Sequence, residues 1–172
     1  MRIDLERSRA MAGVLAALCA TLLAGCEANG AGGGVAIGEP VPAYAAPTLE
    51  GDSLALADLQ GSPVLLNLWA TWCGPCREEM PDLQALHEDY RAAGLRVVGV
   101  SIDQASAGGA VRTFLDEHAI TFTVLHDPQG RITRMFRTVG VPETFLIGGD
   151  GRLVARWIGP IDPAVVRQTI DL

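Results

Sequence analysis

The stretch PVLLNLWATWCGPCREEMP, residues 63–81, decides how the rest of this chain is organised. It opens with a short and almost continuously apolar run, which is typical of a buried β-strand. Apolar side chains then recur every three or four residues, which predicts an amphipathic helix over residues 75–93 that stops at Gly94. The cysteine pair of WCGPC, residues 72–76, therefore lies where a strand gives way to a helix.

This position gives the cysteine pair a chemical mechanism. Unpaired amides and the positive end of the helix dipole stabilise a thiolate at a helix N-terminus, so Cys73 is expected to be the nucleophile. Cys76, one turn inside the helix, is expected to be shielded. Cys73 can then attack a substrate disulfide, and Cys76 can resolve the mixed disulfide that forms. Pro75 suits the first helical turn, where its missing N–H costs no internal hydrogen bond.

Other functions of a C-x-x-C pair require further residues in the sequence. A zinc site needs four ligands, and this chain has no second C-x-x-C and only three histidines, none at close ligand spacing. Covalent haem attachment needs a histidine after the second cysteine, where this chain has Arg77. We therefore predict no metal and no other cofactor, while a purely structural disulfide remains an alternative.

The remainder of the chain alternates between short β-rich runs and helical stretches, which indicates βαβ units around a central sheet. We predict an α/β domain over residues 40–172. Its predicted strands are residues 43–48 and 53–56, which form a hairpin, and residues 63–69, 95–102, 122–125, 143–147 and 152–158. Further helices are predicted at residues 109–118, 129–136 and 163–170.

The first 25 residues have the form of a signal peptide, with three arginines up to Arg9 and then an uncharged apolar run over residues 10–24. That run is short for a membrane span, which needs roughly 18 or more apolar residues. The tetrapeptide LAGC, residues 23–26, resembles the lipobox of bacterial lipoproteins, which implies cleavage before Cys26 and lipidation of its thiol. An ordinary signal peptide with a coincidental cysteine is the alternative. Residues 26–39, rich in Gly and Ala, are predicted to be a flexible tether.

Charge and cysteine count narrow the possible functions. The chain has 172 residues, 13 arginines, no lysine and 20 acidic residues, for a net charge of −7. This balance argues against a nucleic-acid binder and excludes Schiff-base or P-loop lysine chemistry. Because Cys19 would leave with the signal peptide and Cys26 would carry lipid, Cys73 and Cys76 remain as the redox pair.

The segment at residues 63–81 and a second one, GVPETFLI at residues 140–147, together resemble the thioredoxin superfamily. Within it, the chain is similar to the membrane-tethered TlpA/ResA-like thiol-disulfide oxidoreductases. The resemblance implies a thioredoxin fold, in which helices flank a central mixed sheet, with an added N-terminal β-hairpin. It also implies that Pro142 is cis and lies against the disulfide, and that Val141 offers its backbone to an extended substrate peptide. Trp72, beside the pair, is a further candidate for substrate contact.

Two positions bear on proton transfer. Thioredoxins bury an aspartate six residues before the first cysteine, where this chain has Asn67, which cannot take up a proton. ResA-like proteins carry a carboxylate three residues after the second cysteine, and Glu79 matches it. Glu79 can accept the proton of Cys76 if it is buried with a raised pKa. The alternative is that Glu78 and Glu79 only favour the helix N-terminus electrostatically.

These features predict an enzyme, a protein-disulfide reductase lipid-anchored to the extracytoplasmic or periplasmic face of a bacterial membrane. Its expected substrates are disulfides of exported proteins, with apocytochrome c, and thus cytochrome c maturation, as one candidate. The resemblance implies a membrane thiol donor that reduces the pair again, and we expect a monomer.

Two alternative functions remain. One is a thiol peroxidase of peroxiredoxin type, although its expected Pro and Thr or Ser positions hold Leu66 and Ala70. The other is a non-enzymatic module that handles metal, although related copper carriers space their cysteines more widely.

Overall fold

The computed structural model describes residues 34–171, so the predictions for the signal peptide and Cys26 lie outside the described residues. The strands are β1 (Ala45–Pro47), β2 (Ser53–Ala55), β3 (Val64–Trp69), β4 (Arg96–Ser101), β5 (Thr123–His126), β6 (Glu143–Ile147) and β7 (Leu153–Ile158). The α-helices are α1 (Gly74–Tyr90), α2 (Gly108–Glu117), α3 (Arg131–Phe136) and α4 (Pro163–Ile170). Short 3₁₀ turns occur at Leu56–Leu59, Arg91–Ala93 and Ala105–Ala107.

A five-stranded mixed sheet in the order β5-β4-β3-β6-β7 forms the centre of the fold. The strands β3, β4 and β5 are parallel and are joined by α1 and α2, whereas β6 and β7 run antiparallel to their neighbours. The register pairs Trp69 with Ser101 and Leu68 with Glu143. The carboxyl ends of β3 and β4 therefore meet the beginning of β6 at one edge of the sheet. This is the predicted α/β architecture.

Each face of the sheet has its own apolar core, because side chains alternate along a strand. One face packs against α1, α2 and α4 and buries Trp69, Met80, Leu83, Phe114 and Val166. The other face packs against α3 and the N-terminal hairpin and buries Tyr44, Leu66, Ile132, Phe136 and Phe145. The continuously apolar strand at residues 63–69 reflects this burial on both faces, since β3 is buried at every position.

Helix α1 begins and ends close to its predicted limits. Cys73 is its N-cap residue, and a proline occupies the first turn. After Tyr90 the chain tightens into a 3₁₀ turn, and Gly94 follows with φ of 100°, a left-handed conformation that glycine adopts without steric cost.

The N-terminal segment extends the folded domain beyond its predicted boundary. The strands β1 and β2 form the expected antiparallel hairpin. Upstream of it, Gly38 N donates to Leu153 O at 2.7 Å and Leu153 N donates to Glu39 O at 2.9 Å. The last residues assigned to the tether thus belong to the fold, because their backbone groups pair with β7. None of the helices within residues 34–171 is long and apolar enough to cross a membrane.

Candidate active site

The two cysteines of the WCGPC motif form a disulfide at the N-terminus of α1. Their Cα atoms are 5.3 Å apart. Cys73 ends the segment that follows β3, and its Sγ accepts a hydrogen bond from Cys76 N at 3.2 Å. Cys76 is fully buried, while Cys73 keeps 6% of its surface exposed. The helix N-terminus therefore directs an amide at Cys73 and shields Cys76, as the position of the motif predicts.

A loop ending in Pro142 lies against the disulfide. The Val141–Pro142 peptide bond is cis, as the resemblance implies. The carbonyl oxygen of Val141 lies 3.6 Å from Cys73 Sγ. Gly159 N, just after β7, donates to Pro142 O at 3.0 Å and fixes the loop to the sheet. The backbone of Val141 and Cys73, the less buried cysteine of the pair, are therefore neighbours.

Three exposed apolar side chains belong to the segments that lead to Cys73, to Pro142 and out of β7. Trp72 is 67% exposed, Val139 is 76% exposed and Ile158 is 64% exposed. They come from the segment before Cys73, the loop before Pro142 and the end of β7. Trp69, in contrast, is fully buried and packs against Phe114 with ring centroids 5.3 Å apart. Of the three exposed side chains, only Trp72 is adjacent to the cysteine pair, whereas Ile158 lies opposite Glu143 in the β6–β7 register and shares its face of the sheet.

Glu79 lies one helical turn after Cys76 and is 3% exposed. Its Oε1 accepts from Asn67 Nδ2 at 2.7 Å and its Oε2 accepts from Ile161 N at 2.9 Å. Burial raises the pKa of Glu79 from 4.5 to about 7, and the two hydrogen bonds offset only part of this effect. Because residues three apart on a helix share a face, this carboxyl group is placed on the same side of α1 as Cys76.

Asn67 has a role that the sequence did not indicate. This fully buried side chain donates from Nδ2 both to Glu79 and, at 2.9 Å, to Thr144 Oγ1. Thr144 lies on β6, two residues after Pro142. One amide group thus connects the carboxyl group behind Cys76 with the strand behind the cis-proline loop.

A buried ion pair supports the same loop from the other face of the sheet. The carboxylate of Glu143, which is completely buried, contacts the guanidinium of Arg156 on β7. Val139 N donates to Glu143 Oε2 at 3.3 Å, and Arg156 donates to Arg137 O at 3.3 Å. The sequence signal that could have revealed this ion pair is the charged residue at the beginning of the otherwise uncharged strand ETFLI.

Asp103 anchors the turn that leads to Cys73. Its buried carboxylate accepts from Thr71 N at 3.0 Å, Thr71 Oγ1 at 2.6 Å and Ser101 Oγ at 2.9 Å. His126 Nε2 lies 3.0 Å from Asp103 O and donates to it. The signal that could have revealed Asp103 is its place after β4, since carboxyl ends of parallel strands meet at one edge.

Within residues 34–171, no group of three or more His, Cys, Asp and Glu side chains is placed to hold a metal ion. The groups that the structure brings together at the site are the disulfide, the Val141 carbonyl and Glu79.

A thioredoxin-like sheet with a C-x-x-C disulfide at a helix N-terminus, facing a cis-proline, defines a thiol-disulfide oxidoreductase. The sequence comparisons specify the family. The model of the AhpC/TSA family, a thioredoxin-like family, matches residues 37–156, and the chain belongs to this family.

Two relatives show how far the similarity extends. The thiol-disulfide oxidoreductase ResA of Oceanobacillus iheyensis is 39% identical over 101 residues, covering 59% of this chain and 52% of that protein. The chain is thus matched to about half the length of this relative. The thioredoxin-like protein YneN of Bacillus subtilis is 35% identical over 140 residues, which is 81% of each chain.

A solved structure confirms the fold. A Chlorobium tepidum protein assigned as a thiol:disulfide interchange protein DsbE is 35% identical and superposes with a TM-score of 0.73. The match covers 79% of this chain and 96% of that one. The thioredoxin fold implied by the sequence is therefore confirmed.

Proposed function

We propose that this protein reduces disulfides of exported proteins, with Cys73 as the attacking thiol and Cys76 as the resolving thiol. The observation that carries the proposal is the asymmetry of the pair. Cys73 Sγ accepts from the Cys76 amide, lies beside the Val141 carbonyl and keeps 6% of its surface exposed, whereas Cys76 is fully buried. This difference in burial supports attack of an external disulfide by Cys73.

The reaction moves two electrons to the substrate. The Cys73 thiolate attacks one sulfur of the substrate disulfide, and the other sulfur leaves as a thiolate that takes a proton. Cys76 then loses its proton and attacks Cys73 Sγ, which releases the second substrate thiol and leaves the Cys73–Cys76 disulfide. Glu79 is the proposed acceptor of the Cys76 proton, because it is buried on the same helical face with a pKa of about 7. A membrane thiol donor would return the protein to its dithiol form.

Substrate recognition is proposed at the cis-proline loop. Val141 offers its backbone to an extended peptide, and Trp72 contacts the residues beside the substrate cysteine. Trp72 is 67% exposed and offers an apolar contact beside the pair. An exposed tryptophan beside the pair fits an unfolded exported chain, whose apolar residues are still accessible, and apocytochrome c is one candidate of this kind.

Trapping tests the roles of the two cysteines. A Cys76→Ser variant of the full chain should accumulate a mixed disulfide between Cys73 and a peptide disulfide, whereas Cys73→Ser should accumulate none. Mass spectrometry of the adduct identifies the bonded cysteine. An adduct on Cys76 in the Cys73→Ser variant would reverse the assignment.

The reduction potential of the pair tests the direction of electron flow. A value of about −270 mV or lower, as in thioredoxin, supports a reductase, whereas a value near −120 mV marks an oxidant that introduces disulfides. The same preparation should not consume hydrogen peroxide with a thiol donor. Peroxide turnover would favour the peroxidase alternative, and copper retained through dialysis would favour a metal-handling module.

Localisation rests on the N-terminal sequence. The lipobox-like LAGC at residues 23–26 and the apolar run before it support export and a lipid anchor on Cys26. A Cys26→Ala variant should leave the membrane fraction once its signal peptide is cleaved. Cys73→Ala serves as the matched control and should stay there, and a cleaved Cys26→Ala protein still in the membrane pellet would contradict the anchor.

A further inference from the structure

In the side-chain amide of Asn67, the nitrogen makes hydrogen bonds and the oxygen makes none. Both Nδ2 hydrogens have acceptors, Glu79 Oε1 at 2.7 Å and Thr144 Oγ1 at 2.9 Å. The Oδ1 atom is buried and has no hydrogen-bond partner among residues 34–171. Buried polar atoms usually find a partner, so this unused acceptor beside a titratable group calls for an explanation.

The observed orientation of the amide fits the ionised form of Glu79. An ionised carboxylate offers only acceptors, which suit the Nδ2 hydrogens. In the neutral acid one oxygen carries hydrogen, and Oε1 is the natural carrier because Oε2 is occupied by the Ile161 amide. That hydrogen would point at Nδ2, and two donors cannot bond to each other.

A half-turn of the amide removes this conflict. It brings Oδ1 to the place of Nδ2, where Oδ1 can accept from the O–H of neutral Glu79. Thr144 can follow the change, because a hydroxyl both accepts and donates. In the observed orientation Nδ2 is hydrogen-bonded and Oδ1 is not, and after the half-turn Oδ1 is hydrogen-bonded and Nδ2 is not. The number of hydrogen-bonded ends of the amide is therefore the same in both orientations.

We propose that Asn67, together with Thr144, is a positioning residue for Glu79, and that its amide turns over whenever Glu79 gains or loses its proton. Both protonation states of the carboxyl group then have a matched partner in a site closed to water. The inference rests on the proposed role of Glu79 as proton acceptor for Cys76.

The surroundings of Glu79 allow both states. The strands β3 and β6 present neutral Asn67 and Thr144, and the segment before α4 presents a backbone amide. On α1 itself, the charge of Asp82 adds to the effect of burial on the pKa of Glu79, which lies near 7. Glu143, next to Thr144, faces the opposite side of the sheet and contacts Arg156.

The sequence offers a direct probe, because its two asparagines are Asn29 and Asn67. The full chain, in its disulfide form and labelled with ¹⁵N-asparagine, gives two side-chain amide groups in an NMR spectrum. An Asn29→Ser variant assigns them. We expect both Nδ2 hydrogens of Asn67 to shift upfield together as the pH falls through the titration of Glu79, since both lose their acceptors. In Glu79→Gln this pH dependence should vanish.

Two outcomes would overturn the inference: a shift of only the hydrogen that faces Glu79, which means a static amide, or no shift of either hydrogen. Thr144→Ser should keep the paired shift, while in Thr144→Val the second hydrogen should lack an acceptor at every pH. The experiment involves no turnover. It can therefore fail while the trapping experiment succeeds, and the converse also holds.

Discussion

Glu79, one helical turn after Cys76, and Glu143, next to Pro142, are two buried glutamates on opposite faces of the central sheet. Glu143 contacts the guanidinium of Arg156. Glu79 receives hydrogen bonds only from the neutral groups of Asn67 and Ile161. A cationic partner stabilises the ionised form of a buried acid, whereas neutral donors compensate only part of its desolvation. The first arrangement holds a loop in place, and the second suits the proton-accepting role proposed for Glu79.

The largest expected effect concerns the ion pair. An Arg156→Met variant keeps much of the apolar contact but leaves the buried Glu143 carboxylate without its partner. We expect the free energy of unfolding to fall by roughly 3–5 kcal/mol, measured by urea denaturation at pH 7. The double variant Glu143→Gln/Arg156→Met should recover part of this loss. A single variant as stable as the parent would show that Glu143 needs no counter-charge.

The second prediction concerns the pH dependence of stability. Glu79 has an ordinary pKa of 4.5 and a pKa of about 7 in the folded protein. Between pH 4.5 and pH 7, the folded protein therefore holds a proton on Glu79 that the unfolded chain has lost. The contribution of Glu79 to the free energy of unfolding is therefore fully present below pH 4.5 and is lost as the pH rises through 7.

This loss should amount to about 3 kcal/mol. It is measured as the difference in unfolding free energy between the parent and Glu79→Gln across that pH range, which cancels the titration of the other groups. A difference that stays constant with pH would mean that burial does not raise the pKa of Glu79.

The third prediction is kinetic. In Glu79→Gln, resolution of the mixed disulfide should slow by about 10- to 100-fold, because Cys76 loses its proton acceptor. Stopped-flow tryptophan fluorescence follows the step between about pH 6 and pH 9, and the pH profile should flatten. Glu78→Gln is the matched control, since Glu78 is exposed and shares only the helix N-terminal position. Equal slowing in both variants would indicate a helix-dipole effect instead.

The smallest effect is expected at Asp103, a third buried carboxylate whose donors are Thr71 and Ser101. Asp103→Asn should lower the unfolding free energy by about 1 kcal/mol, because one oxygen acceptor becomes an amide donor. The pH midpoint of the resolving step should stay unchanged, since Asp103 fixes the turn before Cys73 and exchanges no proton with Cys76. A shifted midpoint would show that Asp103 shares the role proposed for Glu79.

Local sequence patterns predicted most of the fold. The change of hydrophobic period around residue 70 placed the cysteine pair at a helix N-terminus, and Gly94 gave the end of that helix. Both signals act between neighbouring residues, so they can be read without knowing the register of the sheet. The cis form of Pro142 came from the resemblance alone, because the residues around it do not distinguish a cis from a trans bond.

The long-range contacts of the site could not be predicted from local sequence patterns. Asn67 and Thr144 are 77 residues apart and meet only because β3 and β6 pair antiparallel in one register. The pair of Glu143 and Arg156 likewise depends on the register of β6 against β7. A slip of one residue would turn either side chain to the other face, so the sequence identified Glu79 but not its partners.

The N-terminal segment has a further consequence, for self-association. Exposed edge strands offer unpaired backbone groups to other chains and promote aggregation. Here the segment blocks part of each edge: Pro40 bridges to Arg152 beside β7, and Thr48 bridges to Leu125 on β5. Residues before the first long strand thus serve as edge protection, and removing them would open both sides of the sheet to strand addition by another copy.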